Sequence, residues 1–300
     1  YIRHTTTNLG HADFYLVQNV GALMEEDNQN GLAHFLEHMA FNGSKSFQEG
    51  IPHFLNRRGI KQFNAQTGQD ETIYYINRVP TKDELLVDSC LLVLKDWSGF
   101  LLLDPVEIDK ERGVIFEERR SRRDVGERVR EQTDPYLFNH SKYATRNVIG
   151  TVEVLENFTP EELRAYYKDY YRPDQQAVIV VGDVDVVKIE KEIQRLFNPI
   201  PKRENPKPRL VYEIPDNMEP LYTKVIDKEI PNPAIILTKR IRKDKLITPK
   251  EMLKNNLLRR FYNNIMEKQL EAYINTRDPY FTTTMVNYGR LVRNYDRWQV

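Results

Sequence analysis

Cysteine is nearly missing: Cys90 is the only one in 300 residues. A single thiol builds no disulfide framework and no cysteine-based zinc site, and it does not mark a redox compartment. Long apolar runs are missing as well, none approaching the ~20 residues that span a bilayer. Net charge is zero, 44 Lys and Arg against 44 Asp and Glu, so nothing global draws the chain to nucleic acid or to an anionic membrane. The chain opens on Tyr1 rather than Met and shows no signal-like stretch, as expected if a leader has been removed or a segment excised. What remains is ordinary for a globular protein. Hydrophobic residues make up 40% and charged residues 29%, at a length that fits one large domain or two of usual size.

Histidine is sparse, six in all, yet two fall in Gly31–Phe41, GLAHFLEHMAF. His34, Glu37 and His38 form an HxxEH pattern. At about 100° per residue, Glu37 and His38 lie roughly 60° and 40° to either side of His34 on a helix, one turn along. Two imidazoles and a carboxylate then converge on one spot. Neutral imidazoles on one face suit a borderline metal such as Zn²⁺, and a neighbouring carboxylate that does not bind the metal can take a proton from its water. The pattern is the inverse of the HExxH zinc-protease motif.

Around this helix the chain alternates strands and helices. Phe14–Val20 reads as a strand, Met24–Asn28 as an acidic turn, and Asn30 as the N-cap of the metal helix. A second helix is expected over Gln48–Arg57. Phe63–Val79 reads as two strand pieces about Gly68, rich in β-branched and aromatic residues. Thr81 and Glu84 form a capping box for an apolar helix, Leu85–Trp97, in which Cys90 is a small core residue. Asp104–Pro105 caps a third helix running to Arg123, and Thr159–Pro160 starts another through Tyr170. Gln176–Val181 reads as a central strand and Asp185–Phe197 as a helix. Five prolines between Pro199 and Pro215 mark a linker. Strands near Leu221–Ile226 and Ala234–Lys239, a helix near Pro249–Ile274 and a hairpin over Tyr280–Val286 and Gly289–Arg293 follow. The expected organisation is a catalytic domain over 1–200, a linker over 201–219 and the start of a second domain, cut short, over 220–300. The arginines at 119, 120, 122, 123, 128 and 130 are interleaved with Glu, and a solvated helix face explains them better than a binding patch.

Two His leave a zinc site short of the usual three protein ligands. The third helix offers a candidate. Its inward stripe should hold Ile108, Val114 and Ile115, and Glu111 and Glu118, seven apart, fall on that stripe; Glu117 points roughly 100° away. A carboxylate among core-facing residues needs a partner. On spacing alone, a metal and a buried arginine are equally good partners for Glu118. His4, His11, His53 and His140 lack a helical partner and are weaker candidates.

Several segments together resemble the M16 metallopeptidases, the family of pitrilysin, insulin-degrading enzyme and mitochondrial processing peptidase. HFLEHMAFNGS at His34–Ser44 is similar to the family's metal helix, FNAQTGQDETIYYI at Phe63–Ile76 to its NA-x-T strand, and ERGVIFEE at Glu111–Glu118 to the helix bearing its distal glutamate. IGT at Ile149–Thr151, YYRP at Tyr170–Pro173 and VVGD at Val180–Asp183 match later landmarks, in order. The resemblance implies an α+β fold, an antiparallel-rich sheet packed against helices, repeated in two related domains per half-enzyme. It implies one Zn²⁺ per chain held by His34, His38 and Glu118, with Glu37 as general base and Glu111 assisting catalysis. Phe41 would line the pocket beside the scissile bond, and Asn64 and Ala65 would sit on the edge strand that receives substrate backbone. The implied activity is endopeptidase action on peptides or unfolded polypeptides. The implied partner is a second M16-like half, as further chain or as a separate subunit, without which the chain hydrolyses poorly. No nucleic-acid partner and no transmembrane segment are expected; an envelope location fits bacterial members, though no residue marks it. Two other readings fit the residues less well. A non-catalytic relative of the same fold typically loses the metal motif, which is intact here. S-ribosylhomocysteine lyases also carry HxxEH but are much shorter and resemble a site using a Cys-containing segment, whereas Cys90 sits in a core-like helix.

Overall fold

The computed structural model describes residues 9–243 and 248–300. The chain forms two compact units, Tyr1–Pro220 and Leu221–Val300. The first is built on an antiparallel sheet ordered β2-β3-β1-β4, from β1 (His11–Gln18), β2 (Phe63–Thr67), β3 (Thr72–Pro80) and β4 (Gln176–Gly182). Its helices are α1 (Leu32–Met39), α2 (Ile51–Arg57), α3 (Glu84–Gly99), α4 (Pro105–Arg122), α5 (Val125–Leu137), α6 (Lys142–Thr145), α7 (Val152–Asn157), α8 (Pro160–Tyr170) and α9 (Val186–Phe197). The antiparallel α+β class expected from the sequence is the one observed.

Period-two alternation explains which face of the sheet is covered. Ala12, Phe14, Leu16 and Gln18 of β1 are buried, while the residues between them are half-buried. One cross-strand row runs Ala65–Tyr74–Leu16–Val178, and its first three members are buried. Helix α3 lies over β1 and β3, while α1 packs on β2, α4 and α8. Trp97 of α3, fully buried, stacks on Tyr74 with ring centroids 5.3 Å apart. Cys90 is buried, and burial pushes its thiol up to about 12, so it acts as the core residue expected.

Several boundaries differ from expectation, each for a physical reason. Asn30 is not the N-cap of α1; Gly31 holds that position at φ +111°, and the Asn30 amide donates to Thr145 O instead. Helix α2 starts at Ile51 rather than Gln48, because Gly50 precedes it at φ +91°. Asp83, not Thr81, caps α3 by accepting from Leu86 N–H. Val114 is 53% exposed; the buried residues of α4 are Ile108 and Ile115, a full heptad apart, and Val114 is turned off their line. Strand β4 is an edge strand, with Ile179 and Val181 exposed; an apolar run reads alike for central and edge strands because periodicity does not encode neighbours. Helix α5 holds Arg128 and Arg130 on the solvated helix face expected there, but its bounds were not, since it buries no residue and carries Pro135 inside it.

The proline-rich stretch 201–219 has neither helix nor strand and is tied to the first unit. Arg203 pairs with Asp169 at 2.8 Å, Lys207 with Glu26 at 3.1 Å, and Ile214 is buried. In the second unit, β5 (Thr238–Arg242), β6 (Asn287–Val292) and β7 (Tyr295–Gln299) form a sheet ordered β5-β7-β6, with α10 (Pro249–Ile274) against β6. The strand expected at Leu221–Ile226 is not formed, and the next begins at Thr238 rather than Ala234. Their apolar residues Ile226, Ile235 and Ile236 are exposed, with no strand alongside them among the described residues. The hairpin lies at Asn287–Gln299, turning at Arg293–Asn294, later than expected.

Candidate metal centre

Helix α1 is eight residues long, too short to be stable alone, so its ends and its buried face fix it. Leu32, Phe35, Leu36 and Met39 are buried. At its C-terminal end the Trp97 indole donates to Ala40 O at 2.8 Å. Helix α4 is fastened alongside by Arg112, whose guanidinium donates to Leu155 O and Phe158 O and lies over the Phe158 ring at 3.9 Å. Arg119 donates to Gly150 O at 2.6 Å.

These two helices bring the sequence candidates together. Glu118 Oε2 lies 3.6 Å from His34 Nε2 and 3.2 Å from His38 Nε2. The ring centroids of the two histidines are 4.6 Å apart. One ligand atom from each of His34, His38 and Glu118 lies within 4.8 Å of the others, the one such group among the described residues. The spacing can be tested against a metal. Ligands at about 2.05 Å around a tetrahedral zinc stand roughly 3.3 Å apart, and both measured separations bracket that edge. Glu118 Oε2 is also buried without a hydrogen-bond partner, the condition of an oxygen that awaits a cation. A zinc-type ion therefore fits these residues.

The electrostatics prepare each donor. Burial, aided by His38 and Arg122, pulls His34 down to about 3, so its imidazole is neutral at any working pH. His34 Nδ1 has no partner, whereas His38 Nδ1 faces Glu111 Oε1 at 2.8 Å. That contact fixes the His38 tautomer with its Nε2 lone pair toward Glu118. Burial opposes the His38 imidazolium, but the Glu111 hydrogen bond and the charges of Glu111, Glu118 and Glu37 push it above its ordinary value. The hydrogen bond to His38 holds Glu111 below the usual carboxylate range. Burial is the largest influence on Glu37 and raises its carboxyl, against hydrogen bonding from Thr67. Glu37 Oε2 is buried and unpartnered.

A cavity of ≈ 320 Å³ opens here, lined by Glu37, His38, Phe41, Asn42, Asn64 and Glu111. Phe41 is its apolar wall, braced by Trp97 and Phe63 at 6.2 and 6.4 Å between centroids. Asn64 is exposed, and Ala65 beside it is buried at 7% exposure. Both are on β2, whose outer edge pairs with no strand among the described residues. The other histidines lie apart from the cluster: His11 contacts Leu9 O, His53 pairs with Glu49 and His140 packs on Tyr136. His4 lies outside the described residues.

Sequence reasoning missed three participants. Asn42 lines the cavity and donates to Glu111 Oε2 at 3.4 Å, and Arg122 pairs with Glu118 Oε1. Each is four residues after a candidate ligand, a helical spacing that could have flagged it. Thr67, which bonds Glu37, closes the NA-x-T pattern on β2, but no sequence spacing ties it to Glu37.

An antiparallel α+β unit presenting two histidines and a glutamate from two helices, with a second glutamate beside them that keeps one oxygen unpartnered, defines a metalloprotease-like domain. The chain belongs to peptidase family M16. Residues 6–144 match the family model described as Insulinase (Peptidase family M16), and residues 157–276 match the Peptidase M16 inactive domain. The chain is 35% identical over 177 residues to the probable zinc protease PqqL of Escherichia coli (strain K12), covering 58% of this chain and 19% of that protein. It is 26% identical over 303 residues to the zinc protease PQQL-like of Arabidopsis thaliana, covering 97% of this chain and 31% of that protein. The crystal structure of the periplasmic protease PqqL from Escherichia coli superposes with a TM-score of 0.80 at 25% identity, over 97% of this chain and 32% of that one. The chain thus spans about a fifth to a third of the length of these relatives. No helix among the described residues is long and apolar enough to cross a membrane.

Proposed function

We propose that this chain carries the zinc site of an M16 endopeptidase that hydrolyses peptides or unfolded polypeptides. His34 Nε2, His38 Nε2 and Glu118 Oε2 hold one Zn²⁺, and Glu37 is the general base. When bound, zinc acidifies a water and polarises a carbonyl oxygen. The chain's own residues do the rest. Glu37 Oε2, buried and unpartnered, accepts a proton from the attacking water, and its raised pKa makes it the stronger base. The water oxygen adds to the peptide carbonyl carbon. As the C–N bond breaks, Glu37 returns the proton to the departing amine nitrogen. Glu111 keeps His38 in one tautomer throughout.

An extended substrate adds along the open edge of β2 at Asn64–Thr67, where main-chain bonding reads backbone rather than sequence. Phe41 presents an apolar wall to the side chain beside the scissile bond, and Ala65 leaves the strand flat there. Residues 1–200 act as the catalytic domain, 201–219 connect it, and 220–300 begin a second related domain. The relatives' greater length supports a second M16-like half that completes substrate binding. The periplasmic relative supports an envelope location.

The observation that carries this reading is the pair of separations from Glu118 Oε2 to the two imidazole nitrogens, 3.6 and 3.2 Å, which match a tetrahedral edge beside an unpartnered Glu37 oxygen. Zinc stoichiometry on the full-length protein tests it. One zinc per chain is expected, lost in Glu118→Ala and kept in Glu37→Gln, with peptidase activity abolished in the latter. A Glu118→Ala protein that binds zinc as tightly as its parent, or an active Glu37→Gln protein, overturns the corresponding role.

A further inference from the structure

Helix α1 begins without a capping side chain of its own, yet two of its first amides are satisfied from outside. Gly31 N–H donates to Glu25 Oε2 at 3.0 Å and Ala33 N–H to Glu25 Oε1 at 2.8 Å. Glu25 is 0% exposed. Its backbone is held in turn. Arg146 Nε and Nη2 donate to Glu25 O at 3.3 and 3.2 Å, and the Tyr170 and Tyr166 hydroxyls donate to Met24 O and Gly21 O. Burial raises the Glu25 carboxyl to about 8, opposed by the two amide bonds and by Arg146. Ionised or not, each oxygen keeps a lone pair for its amide.

We propose that Glu25 is a positioning residue for the metal site: it clamps the first turn of α1 and thereby sets the depth and rotation of His34 and His38. The inference rests on the zinc reading above. His34 follows Ala33 directly, and metal ligands tolerate displacements of only about 0.2 Å. A helix of eight residues cannot supply that precision from its own hydrogen bonds. Its two ends are instead pinned to distant groups, Glu25 at the start and Trp97 at the finish. Loss of the first pin leaves a buried amide without a partner and the first turn free to shift.

The test uses the full-length protein and Glu25→Gln, which keeps one acceptor oxygen and sets an NH₂ against the other amide. Competition with a chromogenic chelator should show zinc affinity about tenfold weaker, in the range for groups that orient ligands. The visible absorption of the Co²⁺-substituted site should change intensity, as its geometry relaxes. Asp185→Ala, which removes the N-cap of α9, serves as a control for general destabilisation and should leave both readouts within twofold. Zinc affinity and cobalt spectrum unchanged in Glu25→Gln overturn the proposal, as does an equal loss in Asp185→Ala. Should Glu25→Gln fail to fold, amide hydrogen exchange of the parent decides. Gly31 and Ala33 should exchange as slowly as core amides; exchange at free-peptide rates overturns the clamp. A parent that takes up no zinc overturns the zinc reading together with this one. A zinc-binding parent whose Gln variant binds equally well overturns this one alone.

Discussion

Glu111 gives the sharpest quantitative test of how the site is built. Its Oε1 meets His38 Nδ1 at 2.8 Å, and the two side chains are 17% and 20% exposed. A hydrogen bond to a charged partner contributes about 1.5–3 kcal/mol, and a neutral one about 1. Partial exposure favours the lower part of the charged range. Glu111→Gln keeps an oxygen for Nδ1–H but loses the charge, about 0.5–1 kcal/mol, and turns an NH₂ toward the Asn42 amide that now donates to Oε2, about 0.5 kcal/mol more, so the expected cost is about 1–1.5 kcal/mol, or roughly tenfold in zinc affinity. Glu111→Ala removes the bond itself and frees the imidazole to rotate, and the expected loss is about 100-fold. Affinities measured by chelator competition near neutral pH, with thermal melts to confirm folding, distinguish the two. Both variants within twofold of the parent, or alanine binding more tightly than glutamine, would refute the orienting role.

Other expectations follow from neighbouring contacts. Arg122 pairs with Glu118 Oε1 and its charge opposes a cation at His34, so Arg122→Ala should tighten zinc binding about two- to threefold at low salt, with the gain shrinking as salt screens the exposed guanidinium; weaker binding in a salt titration contradicts this. Zinc affinity should fall as pH drops. His38, raised above 6.5 in the metal-free fold, takes up a proton that the metal must displace, so the decline should begin above pH 6.5 and start lower in Glu111→Gln; a flat profile by chelator competition excludes His38 as a ligand. In the metal-free protein the same raised value adds stability below the unfolded-state pKa that is lost as pH rises through the folded one. Gly150→Ala should cost about 2–4 kcal/mol of stability by denaturant titration, because Gly150 sits at φ +92° and a Cβ would stand 2.7 Å from Gly31 Cα; a loss below about 0.5 kcal/mol would show that this backbone crossing yields easily.

The sequence revealed what is local and concealed what is not. His34, Glu37 and His38 share a helical face by spacing alone, and the heptad relation of Glu111 to Glu118 put both carboxylates on one side of α4. The alternation in Thr72–Pro80 made β3 legible, and Thr159 with Glu162 marked the start of α8. Glu25 could not be read as a cap, because it reaches α1 across a turn in which only its charge was visible. Val114 was misplaced because an apolar residue beside a buried stripe looks the same as one within it. The extent of helix α5 could not be read because it buries no apolar face, although its interleaved Arg and Glu marked a solvated helix. The apolar runs between 221 and 237 carry strand-like composition, but composition names no pairing partner, and strands form only in pairs.

Whether His34, His38 and Glu118 share one zinc is read directly from an anomalous difference map of crystals of the zinc-loaded protein. One peak per chain is expected, at about 2.0–2.1 Å from His34 Nε2, His38 Nε2 and Glu118 Oε2, with Glu37 outside bonding distance. A peak elsewhere, or one that omits Glu118, would contradict it.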